Sequence, residues 1–368
     1  MSKDNMEQKP VINIALATDE GYFYQAMVVI ATIINSLSDS ERKLAFYILV
    51  PGAMSDSQKN AFDELIIKHS NCTINIIDMA DSYQDADLHI EHITRPAYYR
   101  LSLPELLPTV DKILYLDCDV VVCKNIATLF DMVIDDYYIA GVRAFAFLSN
   151  PNYMQIKMKE LDIPSLDQYV NSGILLMNLK KMRDEDLCSV FKEKYLKNYT
   201  TQDQDIFNSA CYGKIKLIDF KYNTMTKYPL FEGGYHSLPY LRDWISFEEF
   251  EKARTEPVII HYADKCKPWN DCNSLFLNDW WEATRLLPEK SRLAIVDKYM
   301  DNLLLSISQK VSHNRAEKQS LNETVIRIKK ENKQLKKNLQ KIKGSKSYTI
   351  GKAMTYIPRT IRKNTKRG

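Results

Sequence analysis

Short, nearly uninterrupted apolar runs alternate along most of this chain with longer stretches in which apolar residues recur every three or four positions. Runs of the first kind suit strands buried on both faces and stretches of the second kind suit helices, so the alternation predicts an α/β fold with a largely parallel sheet. The predicted strands are Val11–Ala17, Leu44–Val50, Thr73–Ile77 and Lys112–Leu116, followed by Tyr138–Val142, Ile174–Met177 and Val258–His261. Helices are predicted over 22–37 and 55–69, the second with Ser55 as its N-cap.

One of these strands ends abnormally. Lys112–Leu116 breaks into Asp117-Cys118-Asp119 and then resumes an apolar run. The D-x-D spacing alone is weak, because it recurs at Asp85 and Asp87, Asp184 and Asp186, and Asp203 and Asp205. Only the pair at 117 and 119 interrupts a strongly hydrophobic strand. Two like charges there are costly unless a cation neutralises them, and the carboxyl ends of strands in such sheets form the ligand crevice. The competing reading is a helix N-cap plus a surface acid. His261 ends another apolar run and is a third candidate ligand. Two carboxylates and an imidazole suit Mn²⁺ or Mg²⁺, the imidazole favouring Mn²⁺, whereas no thiols are arranged to favour Zn²⁺. With ten glycines and neither a G-x-G-x-x-G nor a P-loop, the chain lacks a glycine cradle for phosphate, and a bound metal is the natural substitute.

Six motifs in order carry a resemblance. They are Ala17-Thr18-Asp19; His92 to Arg100, ending Tyr98-Tyr99-Arg100; Leu116-Asp117-Cys118-Asp119; Asn171-Ser172-Gly173 running to Asn178; Asp203-Gln204-Asp205; and His261-Tyr262 with Lys267-Pro268-Trp269. Over roughly 11–281 the sequence resembles glycosyltransferase family 8, the bacterial lipopolysaccharide galactosyl- and glucosyltransferases related to glycogenin. The resemblance implies a GT-A-type nucleotide-sugar domain with a mixed, mostly parallel sheet flanked by helices. It also implies Mn²⁺ on Asp117, Asp119 and His261, a UDP-glucose or UDP-galactose donor, and retention of anomeric configuration.

Residue by residue, it implies that Ala17, Thr18, Asp19 and Tyr22 hold uridine, and that Arg100 faces the donor sugar and phosphate. Cys118 falls between the two metal-binding aspartates. Asn171 and Asp203 would bond sugar hydroxyls, Gln204 would lie on the face of the anomeric carbon, and Lys267 would neutralise the departing diphosphate. His92 matches a position on the acceptor side. The sequence departs from the family's usual pattern at Glu20-Gly21 and at Ala263-Asp264-Lys265-Cys266, which bears on phosphate and sugar contacts and leaves the metal ligands intact.

Composition changes the picture at the C-terminus. From Lys310 onward there are 18 Lys and Arg against three Glu, so the preceding part holds 32 of the chain's 50 bases against 44 of its 47 acids. An acidic body therefore carries a basic tail. Leu321, Val325, Ile328, Asn332, Leu335, Leu339 and Ile342 recur at spacings of four and three, which defines a coiled-coil seam able to form a homodimer, or a lone amphipathic helix packed on the body. Beyond it, apolar and basic residues interleave in a manner suited to an anionic membrane surface, with a solvated tail as the competing reading. The expected organisation is a catalytic domain over 11–282, a helical connector over 283–320, a short coiled coil over 321–343 and a basic amphipathic tail over 344–368.

No secretory signal or spanning run is evident, and the seven cysteines are odd in number and form no CxxC pair. A cytoplasmic, peripheral-membrane hexosyltransferase with a glycan or glycolipid acceptor, such as lipopolysaccharide or capsule, is the expected function, with no nucleic-acid partner. Nucleotidyl transfer lacks its triphosphate loop, and self-glucosylation has no distinctive tyrosine among 22. From another class, a membrane-tethered non-catalytic scaffold would need a degenerate site, whereas all three candidate ligands are present.

Overall fold

The structure is a computed structural model and describes residues 11–38, 42–85, 95–145, 150–226, 242–263, 265–313 and 318–344. His92 and the basic tail from 345 onward lie outside the described residues. The chain divides into two compact units, Met1–Pro268 with Asn273–Pro288, and Trp269–Cys272 with Glu289–Gly368.

The first unit is built on a seven-stranded mixed sheet. Strands β1 (Ile12–Ala17), β2 (Leu44–Val50), β3 (Cys72–Asp78) and β4 (Lys112–Leu116) precede β5 (Val120–Val122), β6 (Ile139–Arg143), β7 (Val170–Asn178) and β8 (Ile215–Leu217) in the chain. The sheet order is β3-β2-β1-β4-β7-β6-β8. Strands β1 to β4 run parallel, and β7 is antiparallel to both neighbours, with Leu116 opposite Ile174. A second, three-stranded sheet joins β5, β10 (Ile259–His261) and β9 (Thr224–Met225). β2 and β4 have the bounds expected from their apolar runs. β7 begins four residues earlier than its apolar core, because the polar Asn171 and Ser172 belong to the strand too.

Local sequence explains the helices that frame the site. The helix Phe23–Ser36 is buried at Phe23 and from Gln25 to Ile34, consistent with its nearly continuous apolar text. The helix Asp56–Ile66 begins with a capping box in which Ser55 Oγ accepts from Gln58 N–H and the Gln58 side chain bonds the Ser55 backbone.

This topology brings four segments to one edge. The carboxyl ends of β1 and β4 lie beside the amino end of antiparallel β7, and Asp117 N–H donates to Gly173 C=O at 2.7 Å. The apolar run after Asp119 leaves the main sheet as β5, and β10 pairs with it so that His261 lies opposite Val120.

In the second unit, the helices Glu289–His313 and Lys318–Gly344 are joined by a Lys336–Asp297 ion pair of 2.8 Å. Val325, Ile328, Asn332, Leu335 and Leu339 are half-buried while the residues between them are mostly exposed. The heptad seam thus finds a partner in the preceding helix of its own chain. Among the described residues no helix is long and apolar enough to cross a membrane, and none of the seven cysteines is in a disulfide.

Candidate active site

Asp117, Asp119 and His261 converge at this edge. One ligand atom from each can be chosen so that all lie within 4.8 Å of one another. His261 Nε2 stands 3.2 Å from Asp119 Oδ1 and 3.9 Å from Asp117 Oδ2. Each carboxylate gives its other oxygen to the protein. Asp117 Oδ1 is bound by Arg100 Nη2 at 2.9 Å and by the Tyr115 hydroxyl at 3.0 Å. Asp119 Oδ2 is bound by Lys267 Nζ at 2.6 Å, and the same ammonium donates to Tyr262 C=O.

The imidazole is held in a defined state. Asn171 Oδ1 accepts the Gly173 N–H at 3.1 Å, so the Asn223 group facing that oxygen at 2.9 Å must be its NH₂. Asn223 Oδ1 is left to accept from His261 Nδ1 at 2.9 Å. In the neutral ring the proton is therefore on Nδ1, and Nε2 points a lone pair at the two carboxylates. Asp119 Oδ1 is buried with no hydrogen-bond donor. Three electron-pair donors thus face one point, a donor set that fits a hard or borderline divalent cation.

Gly173 closes this cradle. A Cβ there would stand 2.3 Å from His261 Cε1 and 2.7 Å from Asp117 Oδ2, so only glycine fits beside the centre. Burial acts to raise the Asp119 pKa, but Lys267, joined by His261 when its ring is protonated, outweighs it and holds the carboxylate well below its ordinary range.

The other expected residues surround the centre. Ala17 ends β1 and Thr18 follows it, and Cys118 Sγ–H donates to Ala17 C=O. Asp19 Oδ1 accepts the Tyr22 N–H at 3.1 Å, ordering the entry to the helix Phe23–Ser36. The Tyr22 phenol is pushed far above its usual pKa by burial first, and then by Asp119, Cys118, Asp117 and Asp19.

Arg100 lies in a turn that follows the short helix Pro96–Tyr99. It is 3% exposed, its guanidinium is 4.3 Å from the Tyr115 ring centroid, and it pairs with Asp117 and with Asp203 Oδ2 at 3.4 Å. Arg100 and Lys267 are therefore braces of the carboxylates in this structure.

Asp203 and Gln204 open the helix Gln202–Ala210. Asp203 accepts from Ser172 Oγ at 3.2 Å, and burial raises its carboxyl to about 6 against the pull of Arg100. Gln204 Oε1 accepts from Asn171 Nδ2 at 3.0 Å and Ser172 N–H at 3.3 Å, while its NH₂ donates to the Tyr169 hydroxyl at 3.0 Å. Asn223, Tyr169 and the cradle role of Gly173 were absent from the sequence reading. An isolated glycine inside a strand marks a close approach and was a usable signal for Gly173, whereas Asn223 carries no local signal.

The pattern for "Glycosyl transferase family 8" matches residues 13–273. The chain belongs to glycosyltransferase family 8. Among known proteins it is similar to general stress protein A of Bacillus subtilis, at 23% identity over 72% of this chain and 90% of that protein. It is also similar to the lipopolysaccharide 1,2-glucosyltransferase of Escherichia coli, at 26% identity over 72% and 75% of the two chains. The lipopolysaccharide 1,3-galactosyltransferase of Salmonella typhimurium is 26% identical over 70% and 73%. Among solved structures, an active-site mutant of LgtC superposes with a TM-score of 0.62 at 26% identity, covering 76% of this chain and 99% of that one. The bifunctional glycosyltransferase WbbM, in its apo form, gives 0.67 at 22% identity over 79% of this chain and 52% of that one. The fold is accordingly the GT-A fold, whose glycosyltransferases use UDP-sugar donors and a divalent metal, and the chain carries an Asp-Asp-His cluster able to hold such an ion.

Proposed function

We propose that this family 8 chain is a retaining, metal-dependent hexosyltransferase that moves glucose or galactose from a UDP-sugar to a glycan or glycolipid acceptor of the lipopolysaccharide or capsule kind. The observation that carries the reading is the buried, donor-less Asp119 Oδ1 facing the His261 Nε2 lone pair beside a glycine no Cβ could replace. The names of the lipopolysaccharide-modifying relatives support the donor and acceptor classes.

Asp117, Asp119 and His261 would hold Mn²⁺, with Mg²⁺ as the alternative ion. Such an ion supplies Lewis-acid stabilisation to a departing diphosphate. Ala17, Thr18, Asp19 and Tyr22 at the end of β1 would hold the uridine. Asn171 and Asp203 would meet the sugar hydroxyls, and His92 would approach the acceptor. Lys267, bonded to Asp119 Oδ2, would leave Oδ1 for the metal, and Arg100, bonded to Asp117 Oδ1, would do the same for Oδ2.

Gln204 bears on the stereochemical route. Its carbonyl oxygen already accepts two N–H groups, which spends the electron density a nucleophile would need. This favours same-face attack, in which the departing phosphate takes the acceptor's proton and Gln204 stabilises an oxocarbenium-like sugar, over a covalent glycosyl-enzyme.

The test is UDP release from UDP-glucose and UDP-galactose separately, with Mn²⁺ or EDTA, on wild type and Asp119→Ala. Metal-dependent turnover of one donor that disappears in the variant supports the reading and names the sugar. Absence of both turnover and metal-dependent UDP binding would instead favour the scaffold.

The charge division between acidic body and basic tail supports a second contact, docking of 344–368 on the anionic inner face of the cell membrane. Co-sedimentation with phosphatidylglycerol vesicles but not phosphatidylcholine vesicles checks it. Self-association through 321–343, which would exchange the pairing with Glu289–His313 for the same pairing between copies, is a further proposed contact, read by analytical ultracentrifugation of the chain with and without 318–368.

A further inference from the structure

Five hydrogen bonds run in one direction away from the metal centre and end on a carboxylate. His261 Nδ1–H donates to Asn223 Oδ1 at 2.9 Å, Asn223 Nδ2 to Asn171 Oδ1 at 2.9 Å, and Asn171 Nδ2 to Gln204 Oε1 at 3.0 Å. Gln204 Nε2 then donates to the Tyr169 hydroxyl at 3.0 Å, which donates to Asp205 Oδ1 at 2.7 Å. Asp205, fully buried, accepts at Oδ2 from the buried Lys157 ammonium at 2.8 Å and from Thr201 N–H at 2.7 Å.

The direction is forced at the Asp205 end and in the middle. An ionised carboxylate only accepts, so Asp205 makes Tyr169 a donor and leaves that hydroxyl oxygen to accept from Gln204. The backbone N–H groups of Ser172 and Gly173 independently fix the carbonyl oxygens of Gln204 and Asn171. Each link then has one allowed orientation, and the last of them is the His261 tautomer.

We propose that Asn223 and Tyr169 are positioning residues of this reaction, links in a one-way relay between His261 and the Lys157–Asp205 pair that, together with the Ser172 and Gly173 N–H groups, holds both the Gln204 amide and the Nε2 face of His261 in place. The inference rests on the metal-centre reading above and adds to it. Asn223 selects the tautomer directly. Tyr169 acts from the far side of Gln204, so that the anomeric-face residue and the metal ligand are set by one network. Bonds in such a chain polarise one another, and partners of a ligating imidazole typically carry a 10- to 100-fold effect on metal affinity.

The experiment compares full-length wild type, Asn223→Ala, Tyr169→Phe and the double variant. Mn²⁺ affinity in the presence of UDP is read by calorimetry. The His261 tautomer is read in the metal-free protein by long-range ¹H–¹⁵N correlation, with the His261 signal identified by its loss in His261→Gln. The expected results are an Nδ1–H ring in wild type, a mixed tautomer and about 10- to 100-fold weaker Mn²⁺ binding in Asn223→Ala. Tyr169→Phe should weaken binding by about two- to tenfold, and the double variant should bind no worse than Asn223→Ala, since coupled sites are non-additive.

Losses that add in the double variant, or Tyr169→Phe with wild-type affinity and tautomer while remaining folded by circular dichroism, overturn the relay and leave the metal centre standing. An Nε2–H ring in wild type also overturns it. A wild type that binds no divalent ion overturns the metal-centre reading, and this inference with it.

Discussion

Gly173 faces His261 so closely that a Cβ on it would stand 2.3 Å from the imidazole Cε1. A strand glycine is thereby the wall of the metal cradle, and the antiparallel pairing of β7 with β4 sets the distance. Gly173→Ala must displace either the imidazole or Asp117. The expected result is a loss of Mn²⁺ affinity of at least about 10-fold with a stability cost of about 1–3 kcal/mol, the usual range for overpacking. Calorimetric titration and thermal melting check the two parts, and wild-type affinity in the variant would remove the cradle argument.

Asp203 makes folding stability depend on pH in an unusual sense. Burial raises its carboxyl from 3.8 to about 6, so between those values the native state keeps a proton the unfolded chain has released. Stability contributed by this group is present below 3.8, falls as pH rises through the window, and is lost above about 6. The full change is roughly 3 kcal/mol, and Asp119, whose native pKa is depressed, changes stability only below 3.8 and so stays outside this window. The measurable quantity is the stability of wild type minus Asp203→Asn in EDTA by guanidinium unfolding. That difference should fall between pH 4 and 6.5, and a flat profile would place the Asp203 titration elsewhere.

Arg100 is the only cation bonded to both Asp117 and Asp203 among the described residues, and it is nearly inaccessible. Removing one partner from such a buried cluster leaves uncompensated charge, which costs about 3–5 kcal/mol. Arg100→Met should therefore melt several degrees lower, and addition of Mn²⁺ should recover part of the loss through Asp117. A melt unchanged by the substitution would show that the arginine's charge is dispensable to the fold.

Much of this architecture was legible in the chain because the relevant positions encode themselves. Leu44–Val50 and Lys112–Leu116 are strands buried on both faces, so their apolar runs begin and end where the strands do. Asp117 and Asp119 were visible as charges where the pattern demanded none. β8 and β9 were not, since Ile215–Leu217 and Thr224–Met225 are too short to carry a period, and their pairing is decided by β6 and β10. Asn223 follows a turn beside one of them, and its importance comes wholly from the side chains that tertiary packing brings to it. The seam at 321–343 shows the converse case, a clear heptad whose partner, the helix Glu289–His313, no local pattern could name.

Gln204 offers the sharpest test of the reaction's course. Its amide is locked on three sides, by Asn171 and Ser172 at the oxygen and Tyr169 at the nitrogen. A group so held can stabilise charge by its dipole, yet turning its oxygen onto an anomeric carbon would break two hydrogen bonds at once. Gln204→Ala should lower kcat by about 10- to 100-fold, far short of the roughly million-fold loss that follows deletion of a covalent nucleophile in a serine protease. Single-turnover kinetics with UDP-sugar and mass spectrometry of the quenched enzyme check this. Complete loss of turnover in the variant, or a glycosyl adduct on Gln204 in the wild type, would replace same-face attack with the double-displacement route.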